Sequence, residues 1–91
     1  MMPSRAANAA DELRALLRSG DLPRLGLVDV GMGSRLTFEL AVRVTLTDLA
    51  RLTALAHDGH TVEADRWHQL AADLKRLHRM AVQARGPSVC E

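Results

Sequence analysis

Residues 35–47, RLTFELAVRVTLT, alternate without a break. On an extended chain Leu36, Phe38, Leu40, Val42, Val44 and Leu46 fall on one side, and Arg35, Thr37, Glu39, Ala41, Arg43, Thr45 and Thr47 on the other. The pattern predicts a β-strand over the whole stretch, with Phe38, Leu40, Val42 and Val44 at the centre of the core and the Arg43 face wet. Such a strand, at about 3.3 Å per residue, spans roughly 40 Å. A compact chain of this length has a radius of gyration of about 12 Å and so a diameter near ~30 Å. The strand must then bend, break in two or run into a second copy, which predicts a homodimer or higher oligomer.

Upstream, residues 24–30, RLGLVDV, read as a shorter strand. Leu25 and Leu27 share a face with Asp29, Val28 and Val30 point the other way, and Gly26 marks a bulge. The GMGS stretch at 31–34 supplies the glycines of a hairpin turn. A first helix covers residues 6–19, with Asn8 and Asp11 in a capping arrangement, a stripe of Leu13, Leu16 and Leu17, and Gly20 and Pro23 to end it. After Thr47 the period changes: Leu49, Leu52, Leu55 and Ala56 recur at helical spacing behind a Thr47 or Asp48 cap, ending at Asp58-Gly59. A last helix over 62–85 starts from Thr61 and stops at Gly86-Pro87. Its apolar positions, Ala64, Trp67, Leu70, Leu74, Leu77, Ala81 and Ala84, form a heptad seam from Trp67 onward. The expected fold is α+β in the order α-β-β-α-α: a two-stranded antiparallel hairpin with one long strand, packed on helices and completed by dimerisation. Residues 1–91 make one small domain, frayed at 1–5 and 87–91.

Composition narrows the function. The 91 residues are 47% hydrophobic but hold one Phe, one Trp and no Tyr, which leaves few platforms for stacking bases. A net charge of +1 gives no global pull toward nucleic acid or membrane. Cys90 is the single cysteine, so no internal disulfide forms, and the reducing cytoplasm is the expected setting. Asp11 and Glu12 stand where a signal peptide needs an apolar run.

Chemistry finds little to work with. His57 and His60 bracket Asp58-Gly59 in a turn, yet no third ligand is supplied locally, and His68 and His78 lie nearly opposite in phase. No metal is expected. Cys90 follows a helix-stopping proline with no base held against it; Ser4, Ser19, Ser34 and Ser88 occur in no nucleophile elbow, and the carboxylates are scattered singly. The expectation is no enzyme and no cofactor. Lys75, Arg76, Arg79 and Arg85 follow Asp73 with no acid before Glu91, a cationic helix end that complements the macrodipole and also suits a polyanion. Trp67 suits an interface anchor and a core position equally.

The segment from Val42 to Leu77 resembles a ribbon-helix-helix repressor: a strand, a helix, a Gly59-His60-Thr61 turn and a second helix. The resemblance implies a dimer whose paired strands enter the major groove, with Arg43 and Thr45 reading bases and Thr61 holding phosphate. The first helix is shorter and the second longer than in that family, and the preceding hairpin is additional. The order helix, hairpin, helix over residues 6–58 is similar to that of gas-vesicle shell proteins. The expected function is a non-catalytic protein-binding module, a small regulator, adaptor or inhibitor acting as a homo-oligomer on a larger partner through the hairpin edge or the long helix. The contact residues expected are Arg43, Thr45, Trp67, Arg76 and Arg79. The alternative is a ribbon-helix-helix-like DNA-binding dimer.

Overall fold

The computed structural model describes residues 5–30 and 33–85. Its elements are α1 (Arg5–Ser19), β1 (Leu27–Asp29), β2 (Arg35–Thr37), α2 (Phe38–His57) and α3 (Ala64–Ala84), an α+β chain in the expected order α-β-β-α-α. The expectations for the two termini, for Gly31 and Met32 of the turn, for the Gly86-Pro87 stop and for Cys90 lie outside the described residues.

The long strand is not there. Only Arg35–Thr37 is extended; the chain turns helical at Phe38 and stays so through Thr47 to His57. Local chemistry explains the switch. Thr37 has extended backbone angles, φ −59° and ψ 153°, and its Oγ1 accepts a hydrogen bond from the Leu40 N–H at 3.3 Å, which is an N-cap. Glu39 then places a negative charge in the first turn, and Arg43 donates to it one turn on at 3.1 Å. The same residues also carry a helical period. Phe38, Ala41, Val42, Thr45, Leu46 and Leu52 are buried along one face. Ala41, assigned by alternation to the polar side, is apolar and wholly buried. Thr45 is buried because its hydroxyl donates to the Ala41 carbonyl at 2.8 Å, which leaves no unpaired polar group in the core. Extending the helix back to Phe38 spreads one nucleation cost over 20 residues, each added residue contributing a propagation step.

Two expectations fall with the strand. Phe38 and Val42 are in the core, but Leu40 and Val44 are 45% and 42% exposed on the opposite side of α2. The size mismatch also vanishes, because a helix of this length spans only ~30 Å at 1.5 Å per residue. The homo-oligomer therefore loses the argument that predicted it.

The hairpin is short. β1 pairs antiparallel with β2 in the register Leu27↔Thr37, Val28↔Leu36 and Asp29↔Arg35. Val28 points inward and is buried, while Leu27 and Asp29 are exposed, which is the face assignment the sequence predicts. Arg35 Nε lies 3.6 Å from Asp29 Oδ1 across the pair, and the Val30 N–H donates to the Ser34 carbonyl at 3.0 Å beside the turn.

α1 and α2 end alike. Gly20 takes φ +77°, so the N–H groups of Gly20 and Asp21 return to the carbonyls of Leu17 and Leu16. Gly59 takes φ +89°, and Gly59 and His60 return to Ala56 and Leu55. Both are Schellman stops, in which a left-handed residue just past the helix satisfies the last carbonyls. α3 begins later than expected: Thr61 is bypassed, and Glu63 stands at the N-cap position without a side-chain cap bond. Ala9, Ala10 and Leu13 of α1, the inner face of α2, Leu70, Leu74, Leu77 and Ala81 of α3, and Val28 of β1 make one core. The molecule is 22 Å across its shortest axis, about two helix diameters, so each helix keeps one side on solvent.

The Thr37 cap sets where strand becomes helix. Thr37→Ala is expected to lower stability by about 1 kcal/mol in urea melts, with the loss recovered by Thr37→Ser; Thr37→Ser melting no better than the alanine variant would place the effect elsewhere than the hydroxyl.

Candidate interaction surface

The site begins with what α2 leaves outside. Leu40, Val44, Thr47, Arg51 and Ala54 follow one another at alternating steps of four and three residues, so they share the face opposite Phe38, Val42 and Leu49. All five are exposed, and the first two are large and apolar. The N-terminal half of α2 is thus apolar on both sides although only one side is packed. Beside it, Leu27 is 55% exposed on β1, across the strand pair from Thr37 and next to the start of the helix. Glu39 and Arg43, joined by their ion pair, flank the stripe. Behind Arg43 a cleft of about 480 Å³ opens toward Leu17, Leu22, Pro23, Arg24 and Leu25.

The expected contact residues are spread over the molecule. Arg43 borders the α2 stripe and is exposed. Thr45, expected on the exposed face, is instead turned inward by the helical phase, buried and bonded to the Ala41 carbonyl of its own helix. Trp67 is half-buried, in the wall of an apolar cleft of about 270 Å³ formed with Ala6, Ala10, Leu49, Ala71 and Leu74, so it packs the three helices together. Arg76 lies 3.9 Å from Asp73 on its own helix, and its Nε is buried without a hydrogen-bond partner among the described residues. Arg79 is exposed with Lys75 on the far side of α3, where both border a groove of about 420 Å³ with Asn8, His78 and Val82. His78 Nε2 sits 3.3 Å from Glu12 Oε2, tying α3 to α1. The alternation assigned Leu40 and Val44 to the core, and Leu27 was not singled out; all three stand exposed.

Charges across the molecule pair locally. Asp11 with Arg14, Asp29 with Arg35, Glu39 with Arg43 and Asp73 with Arg76 are ion pairs within one element or one hairpin, mostly exposed. Each is worth no more than about 1 kcal/mol. Glu39 and Asp11 border separate clefts, and Asp73 shares one of about 300 Å³ between α2 and α3 with Asp48, Arg51 and Arg66. His57 and His60 are exposed in the turn after α2, and no group of three or more His, Cys, Asp or Glu among the described residues is placed to hold a metal ion. The ribbon-helix-helix resemblance requires a strand where α2 lies, so Arg43 and Thr45 do not sit on a ribbon. The order helix, hairpin, helix holds over α1 to α2.

No protein-family model matches the chain, and no curated protein and no solved structure shows significant similarity to it. No helix among the described residues is long and apolar enough to cross a membrane.

Proposed function

We infer that the protein is a non-catalytic protein-binding module, a small regulator, adaptor or inhibitor that works in the cytoplasm, associating with itself and with a larger protein through the outer face of α2 and the adjoining hairpin. One observation carries the reading: Leu40 and Val44 stand exposed on a helix whose other side is already filled. A helix that is apolar all round is normally covered all round. Here the second side is open, and Leu27 on β1, opposite the Thr37 cap, is a further exposed apolar side chain. Single exposed apolar residues are ordinary on any protein; what argues for association is their grouping on the most apolar helix of the three. The reading is non-catalytic because the histidines are scattered: His57 and His60 lie exposed in the turn after α2, and His78 is engaged with Glu12 of α1.

The test is affinity capture in the host with the tagged full-length chain, wild type against Leu40→Lys. A protein retained by wild type and lost with Leu40→Lys, while both melt at the same temperature, is the expected result. A partner held equally by both would move the interface off α2, and retention of nothing by wild type under cross-linking would sink the module reading.

A further inference from the structure

The α2 face is self-complementary. Glu39 and Leu40 are followed at one-turn spacing by Arg43 and Val44, so an acid and an apolar residue lead and a base and an apolar residue trail. Turning a second copy about a two-fold axis at the level of Ala41 and Val42, on the outer side of α2, reverses this order. Leu40 of each copy then comes level with Val44 of the other, and Glu39 with Arg43, each within one residue's rise of about 1.5 Å. The same operation brings Thr47 of one copy level with Thr37 of the other, and Thr37 is the cross-strand partner of Leu27. One operator therefore covers Leu40 and Val44 together and sets the Glu39 of each copy against the Arg43 of the other.

We propose that the occupant of the α2 face is a second copy of this chain, forming an isologous antiparallel dimer about that axis. The proposal rests on the association reading above and names its partner. Closed two-fold pairs use the same patch on both copies, and a patch with this internal symmetry is what they require. The internal Glu39–Arg43 pair, 3.1 Å long in each copy, becomes a ring of four charges across the axis. Apolar contact holds the pair together and the charges set its register.

Sedimentation and light scattering of the full chain over a concentration series decide the matter. The expected mass is twice the 9.9 kDa of the chain. Leu40→Lys and, as a second variant, Val44→Lys should each give the single-chain mass with unchanged circular dichroism, since both sites are exposed. Glu39→Arg and Arg43→Glu put like charges across the axis, and each should weaken the dimer by about tenfold or more. Mixed together, the two swapped chains should recover the dimer mass as a heterodimer. A wild type that stays at 9.9 kDa at every concentration overturns the second copy, while loss of a captured partner with Leu40→Lys would still uphold the module. A dimer indifferent to both lysine variants, or swapped chains that do not rescue each other, overturns the proposed axis.

Discussion

Phe38→Ala is expected to cost about 3–5 kcal/mol of unfolding free energy, the loss typical of truncating a buried aromatic ring. Phe38 is 1% exposed, belongs to one core with Leu13, Val28 and Leu77, and is the first residue of α2. Truncation therefore leaves a cavity at the place where hairpin and helix meet. A domain of this size has little in reserve, since total stabilities run at about 5–15 kcal/mol. The urea midpoint should fall steeply while the slope of the transition holds. Leu40→Ala makes the contrast. Its side chain is 45% exposed, and the substitution should cost less than about 1 kcal/mol in the isolated protomer. Comparable losses from the two would mean that Leu40 is buried as deeply as Phe38, either in a strand or against a very stable second copy; the dilution dependence of the Leu40 effect separates those cases.

Order and count of elements were legible because their punctuation is strong. Gly20 and Gly59 each end a helix by adopting a backbone conformation that other residues avoid, and both stops lie where the sequence puts them. The seam of α3 was legible too, from Leu70 through Ala81, because nothing competes with its period. Residues 38–47 misled because two periods coexist there. Placing Leu40 and Val44 on the outside of a helix that buries Phe38, Val42 and Leu46 produces perfect alternation as a by-product. The deciding residues were the modest ones. Ala41 and Thr45 count as polar-side in a strand and as core in a helix, and alanine's small side chain gives little weight to either. Thr37, read as one more strand residue, was the cap. The candidate surface was hidden for the same reason: residues assigned to a core cannot also be seen as an interface. Trp67, Arg76 and Arg79 were correctly placed on one helix, but around its circumference and not on one patch.

The sharpest separation of the two periods is a pair of substitutions two residues apart. Ala41 is wholly buried, and Ala41→Asp places a carboxylate there with no partner. An uncompensated buried charge costs about 3–5 kcal/mol, enough to unfold much of a marginal domain at ambient temperature. Arg43 is exposed, paired only with Glu39 at 3.1 Å, and Arg43→Ala forfeits about 0.3–0.5 kcal/mol in the protomer. On an extended chain the two positions would share one wet face, and both substitutions would be nearly free. On α2 they lie on different sides, and the first should cost several times the second. Urea melts of the two variants, followed by circular dichroism at a concentration low enough to keep the chain single, measure the difference directly. Near-equal midpoints would return residues 38–47 to a strand, and with them the oligomer would have to be argued again from its length.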